Sequence, residues 1–136
     1  MSPLAALRPG ADSSPRPPIR VLVVDDQVLY AEALSVLLGE HASLQVVGIA
    51  ADGREAIEQA AELRPDVVLM DIEMPRLDGI KATRRIRRKL PATKVVVMTA
   101  LTEPGTHARA LEAGAESCVE KFSHAGDLLE AIEAAV

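Results

Sequence analysis

From Ile19 onward, short apolar runs rich in β-branched residues alternate with stretches of helical spacing. The runs are Ile19 to Val24, Leu44 to Ala50, Val67 to Met70 and Val95 to Met98, with a weaker fifth at Cys118-Val119. They are continuous rather than alternating, which predicts strands buried on both faces, as in a parallel sheet. Between them, Val28 to Leu38 predicts a helix with Leu34, Leu37 and Leu38 on one face. Arg54 to Leu63 follows Asp52-Gly53 and stops before Pro65, and Ile80 to Leu90 carries Ile80, Ile86 and Leu90 among basic residues. Thr106 to Ala113 ends at Gly114, a suitable left-handed cap, and Asp127 to Val136 has Leu128, Leu129 and Ile132 at helical spacing. Strand and helix thus alternate five times, which predicts an α/β sandwich with right-handed crossovers.

Residues 1–18 break this pattern. They hold five of the nine prolines (Pro3, Pro9, Pro15, Pro17 and Pro18), which sustain neither a helix nor a strand ladder, and they read as a disordered extension. At 136 residues the chain is long enough for one domain. With one Phe, one Tyr and no Trp, its core must be aliphatic. The net charge of −5 argues against nucleic-acid binding by the overall field. Cys118 is the single cysteine, so no internal disulfide forms and a reducing compartment fits. No apolar run approaches the roughly 20 residues of a membrane span, and no signal peptide is recognisable. The expectation is a cytoplasmic protein.

In an open parallel sheet, chemistry sits at the carboxyl ends of the strands. There the first run ends at Asp25-Asp26, the third at Asp71, the fourth at Thr99 and the fifth at Lys121. Each has a plain alternative: Asp26 as a helix cap, Asp71 as a turn residue, Thr99 as an ordinary strand residue, Lys121 as a solvated charge. As a set they bring three carboxylates together, and these repel unless a cation neutralises them. Mg²⁺ takes oxygen ligands, uses one or two carboxylates and keeps sites for phosphate oxygens. His41, His107 and His124 are too far apart in sequence to suggest zinc. No phosphate-binding glycine loop and no G-x-S-x-G elbow is present.

Four segments carry a resemblance. They are IRVLVVDD from Ile19 to Asp26, RPDVVLMDIEMPRLDG from Arg64 to Gly79, VVVMTA from Val95 to Ala100 and AGAESCVEK from Ala113 to Lys121. They resemble the signature segments of bacterial response regulator receiver domains, nearest the NarL/FixJ subgroup that is usually joined to a LuxR-type helix-turn-helix. The resemblance spans residues 19–136. It implies a flavodoxin-like, doubly wound five-stranded parallel sheet of order 2-1-3-4-5 with five helices. It further implies that Asp71 takes a phosphoryl group from a sensor histidine kinase. Mg²⁺ would be held by Asp26, Asp71 and the Glu73 carbonyl, with Asp25 acting mainly through water. Lys121, the Thr99 hydroxyl and the Ala100 amide would contact phosphoryl oxygens, while Pro75 and Gly79 shape the loop after Asp71. Glu73 and Leu101 stand where the family tunes dephosphorylation. A phosphorylation-favoured homodimer through the first and fifth helices is also implied, as is DNA contact only through a C-terminal domain that lies outside this chain.

Three positions depart from the family pattern. Gln27 stands where His or Asn is common, and Phe122 where Pro or Asp is. Cys118 occupies the usual place of a switching aromatic, so coupling is expected to run through Thr99, Lys121 and the adjoining loops. Six basic residues fall between Lys81 and Lys89, without interleaved aromatics, and read as a solvated helix. Two other readings remain at this stage. One is a Mg²⁺-dependent phosphohydrolase with an Asp nucleophile. The other is a stand-alone receiver acting through protein contacts.

Overall fold

The computed structural model describes residues 16–74, 78–100 and 104–136. Most of the expected 1–18 extension lies outside the described residues, as do Pro75 and Leu101. Arg16 to Pro18 are described, exposed and without regular structure. The elements are β1 (Ile19–Val24), α1 (Val28–Gly39), β2 (Leu44–Ala50), α2 (Gly53–Leu63), β3 (Val67–Asp71), α3 (Gly79–Lys89), β4 (Lys94–Thr99), α4 (Thr106–Glu112), β5 (Ser117–Glu120) and α5 (Ala125–Ala135). All strand pairs are parallel and the order is β2-β1-β3-β4-β5. The sheet therefore has the predicted topology.

Successive residues of the central strands point to opposite faces. Leu22, Val24, Val68, Met70, Val95 and Val97 pack beneath Ala56 and Ala60 of α2, Ala82 and Ile86 of α3, and Ala110 of α4. Val21, Val23, Val67, Leu69, Val96 and Met98 pack beneath Ala31, Leu34 and Leu38 of α1 and Leu128 and Ile132 of α5. Both faces are covered, which is why these strands read as unbroken aliphatic runs. The expectation of burial on both faces fails at the sheet edges. Val46 and Ile49 in β2, and Cys118 and Val119 in β5, are only partly buried, because an edge strand has a neighbour on one side alone.

On α1 the buried stripe is Ala31, Leu34 and Leu38, whereas Leu37 is 46% exposed. The predicted Leu34-Leu37-Leu38 face is therefore wrong at Leu37. Residues 31, 34 and 38 follow the i, i+3, i+7 rule, and Leu37 is turned about 100° from Leu38. The basic helix is not solvated throughout either. Arg87 Nη1 donates to the Pro91 carbonyl at 2.7 Å and also to the Thr93 carbonyl.

Local chemistry sets the helix ends near the site. Asp52 caps α2 by accepting from the Glu55 amide at 2.8 Å, and Asp78 caps α3 by accepting from the Lys81 amide at 2.9 Å. Arg64 closes α2 in the left-handed region (φ 47°) immediately before Pro65. Gly79 follows the Asp78 cap and is packed against the backbone after β3. A Cβ there would lie 2.1 Å from the Asp71 carbonyl oxygen and 2.8 Å from Ile72 Cα. No side chain can rotate away to relieve that clash. Gly79→Ala should therefore destabilise the fold by roughly 1–3 kcal/mol or more. Gly126→Ala, in open space on α5, should be neutral or stabilising by up to about 1 kcal/mol. Urea unfolding midpoints of the two variants check this pair of expectations.

Candidate functional site

The strand order decides which side chains meet. β1 and β3 are adjacent, so Asp25, just beyond β1, and Asp71, the last residue of β3, lie side by side at the carboxyl edge. Both are buried, while Asp26 is exposed. Carboxylate oxygens of Asp25, Asp26 and Asp71 all lie within 4.8 Å of one another. Lys121 follows β5, where its amide donates to the Thr99 carbonyl at 3.0 Å. Its side chain reaches back across the sheet edge. Lys121 Nζ lies 2.9 Å from Asp25 Oδ2, 3.1 Å from Asp25 Oδ1 and 3.2 Å from Asp71 Oδ2.

A third residue completes the shell. Gln27 Oε1 accepts from Lys121 Nζ at 3.0 Å, and the Gln27 amide donates to Asp25 Oδ1 at 2.8 Å. The three N–H donors of the ammonium are therefore matched by Asp25, Asp71 and Gln27. Gln27 is also the N-cap of α1, although its side chain makes no capping bond. Across the site, the Glu73 amide donates to Asp71 Oδ1 at 3.2 Å. Thr99 ends β4 and is buried, and Ala100 follows it exposed. Cys118 is half-buried in β5 and packs toward the α2–α4 face, where burial pushes its thiol up from the ordinary value.

Two contacts were not foreseen from the sequence. In the sequence Gln27 is only a departure from the family pattern, and Tyr30 only the single tyrosine. The Tyr30 hydroxyl donates to the Lys121 carbonyl, and its ring centroid lies 5.2 Å from Lys121 Nζ. Tyr30 stacks edge-on with Phe122 at 5.4 Å between centroids. The signal for Gln27 is its place directly after the Asp25-Asp26 pair. Tyr30 has no local signal, since its contact spans 91 positions in sequence.

The electrostatics follow from three carboxylates around one ammonium. Burial pushes Asp71 up to about 6 and the Asp25 charge adds to it, against the lowering effect of Lys121 and the Glu73 amide. Burial alone would lower Lys121, but its hydrogen bonds and ion pairs with Asp25 and Asp71 hold it above the ordinary lysine value. The donor set suits a hard divalent cation. All the clustered ligand atoms are carboxylate oxygens, one ammonium leaves two formal negative charges unbalanced, and Asp25 Oδ2 is buried with no hydrogen bond beyond its ion pair.

Comparison with known proteins agrees with this geometry. The family model described as the response regulator receiver domain matches residues 21–133. The response regulator protein VraR of Staphylococcus saprophyticus is 41% identical over 115 residues, covering 85% of this chain and 55% of that protein. A protein-glutamate methylesterase/protein-glutamine glutaminase of Alkalilimnicola ehrlichii is 48% identical over 105 residues, covering 76% of this chain and 27% of that protein. The chain thus spans about half or less of these curated relatives. Among solved structures, the signal receiver domain of NarL from Mycobacterium tuberculosis superposes with a TM-score of 0.83 at 33% identity, covering 88% of this chain and 96% of that one.

The raised Asp71 carboxyl has a measurable consequence. The unfolded chain releases this proton near the ordinary carboxylate value, about 4, whereas the folded chain keeps it to about 6. Folding stability is therefore lost as pH rises through that window. In excess chelator, Asp71→Asn should abolish this loss, and the variant should exceed the parent at neutral pH by on the order of 2 kcal/mol. Lys121 retains Asp25 as its partner, so no ammonium is orphaned. Urea midpoints measured across the window check the sign.

Proposed function

The chain belongs to the response regulator receiver domain family, and on that premise we propose that Asp71 is its phosphoacceptor, charged by a sensor histidine kinase. One observation carries the reading: Asp71 is buried at the sheet edge beside Asp25 and Asp26, with the Lys121 ammonium 3.2 Å from its Oδ2. An Asp71 oxygen forms the bond to phosphorus as the phosphorus–nitrogen bond of the phosphohistidine breaks, and the electron pair leaves with the imidazole. Most of the carboxyl is ionised at neutral pH, even with its raised value, so the nucleophile is available.

Asp25, Asp26, Asp71 and the Glu73 carbonyl would hold Mg²⁺. The ion would supply neutralisation of the charge on the transferring group. Lys121 pairs with one phosphoryl oxygen, and the Thr99 hydroxyl and Ala100 amide serve the others. Asp25 is buried in direct contact with Lys121, which gives it a second task as the anchor of that ammonium. The family membership and the first-strand Asp25-Asp26 pair favour a switch over an enzyme that turns over small phosphoesters.

The switch would act on assembly and output. Val36 and Leu37 on α1 are exposed apolar residues, and α5 carries Asp127, Glu130 and Glu133 with no basic residue. This face is the proposed surface of a phosphorylation-favoured, two-fold homodimer through α1 and α5. The proposed output is a DNA-binding domain in the same regulator; the methylesterase relatives favour, as a second reading, an enzymatic output domain. No helix among the described residues is long and apolar enough to cross a membrane, and a cytoplasmic location is proposed.

Incubation with Mg²⁺ and acetyl phosphate should add one phosphoryl mass to the chain. Asp71→Asn, or excess chelator, should abolish the addition. Full labelling of the variant at another residue would sink the assignment, and steady turnover of small phosphoesters would favour the hydrolase. Light scattering on the phosphorylated chain should show a dimer at concentrations where the unmodified chain is monomeric. A monomer in both states would remove the assembly part of the proposal.

A further inference from the structure

The contacts of Lys121 divide into two sets. Its ammonium faces Asp25, Asp71 and Gln27, all of them oxygen acceptors. On another side stand two aromatic rings, with centroids 5.2 Å (Tyr30) and 5.5 Å (Phe122) from Nζ, within the range of a cation–π interaction. The Lys121 side chain is only 6% exposed, yet Phe122 itself is 67% exposed. The rings therefore form part of the cover between the ammonium and solvent.

Tyr30 is placed to do more than cover. Its hydroxyl holds the Lys121 carbonyl, so one residue grips both the backbone and the cation of Lys121. The same residue lines a small groove of about 100 Å³ between α1 and α5, with Leu34, Leu37, Ala125 and Leu128. Tyr30 is thus the side chain that touches both the charged site and the wall between these helices.

We propose that Tyr30 is a positioning residue for Lys121: ring and hydroxyl together aim the ammonium at the acidic pocket, and movement of Lys121 is passed through Tyr30 to the α1–α5 groove. The inference rests on the phosphoacceptor reading. All three ammonium donors are engaged when Asp71 is unmodified, so a phosphoryl oxygen can be met only by releasing one acceptor. Nζ drawn toward the phosphoryl oxygen would change its place relative to the ring that faces it. A space-filling residue would be indifferent to that shift, whereas a ring held by the cation and the carbonyl would register it.

The composition makes the test direct. Tyr30 is the only tyrosine and there is no Trp, so tyrosine emission from the chain reports this one position. The probe is beryllofluoride with Mg²⁺, a stable mimic of the phosphoryl group, and its binding is followed independently by calorimetry. Tyrosine emission of the parent chain should change with the same midpoint as the heat signal. Tyr30→Leu, which removes ring and hydroxyl, should weaken beryllofluoride binding on the order of 10-fold, and Tyr30→Phe, which keeps the ring but not the hydroxyl, should recover most of it, to within about 3-fold of the parent. Stoichiometric binding with unchanged tyrosine emission would overturn the proposal while leaving Asp71 as acceptor. Equal affinity of folded Tyr30→Leu and parent would do the same. Should Tyr30→Leu fail to fold, the parent's emission titration alone decides. If beryllofluoride does not bind the parent at all, the phosphoacceptor reading fails and this inference falls with it.

Discussion

A lysine ammonium buried among carboxylates is the constraint around which the rest of this molecule is arranged. Removing such a charge from water costs several kcal/mol unless it is paired and hydrogen-bonded. Lys121 meets that demand with Asp25, Asp71 and Gln27. The pairing in turn sets requirements on the sheet. Parallel strands lie about 4.8 Å apart, so β5 stands roughly 10 Å from β3 and 14 Å from β1. A short side chain after β5 would reach neither carboxylate. A long flexible stem ending in a compact charge can. The order β2-β1-β3-β4-β5 places the two aspartates next to each other and leaves the lysine to cross β4.

The same arrangement is held short of charge balance. Three carboxylates cluster beside one ammonium, and burial, with the Asp25 charge adding to it, leaves Asp71 keeping its proton to about 6. A site of this kind favours whatever brings positive charge, whether a proton or a divalent cation. Gly79, at the start of α3, packs on the Asp71 carbonyl, and its amide donates to the Ile72 carbonyl at 3.0 Å. Asp78 caps α3 in the same turn. The backbone of Asp71 is therefore packed against a glycine at a distance that leaves no room for a methyl group.

The alternation of strand and helix and the acidic strand-end residues were legible because they obey local rules, whereas the strand order was implied by the family resemblance alone. Central strands buried on both faces must be continuous aliphatic runs, and the polar residues that end those runs must gather at one edge. Legibility failed where a contact depends on placement across the chain. Leu37 looked like core because it is apolar and adjacent to Leu38, but only the packing of α1 shows it turned away from Ala31, Leu34 and Leu38. Arg87 looked solvated among its basic neighbours, yet it ties α3 to the carbonyls of Pro91 and Thr93. Gln27 and Tyr30 both serve Lys121, 94 and 91 positions later, and no periodicity announces that.

Two physical connections leave Lys121, one along the sheet to β4 and one to α1. The Lys121 amide is bonded to the Thr99 carbonyl, so the backbone after β5 is tied to the end of β4. The Lys121 carbonyl and ammonium are tied to Tyr30 on α1. On the phosphoacceptor reading, Asp71 exchanges one negative charge for a group of roughly −1.5 to −2. The three donors of the ammonium must then be shared out again, and neither connection can remain indifferent to that change. Cys118, half-buried in β5 and in contact with the α2–α4 face, has too little reach to join Thr99 to the α1–α5 side. A lysine bonded through its amide to the end of β4, and through its carbonyl and ammonium to Tyr30 of α1, is the residue at which the acidic pocket, β4 and α1 meet.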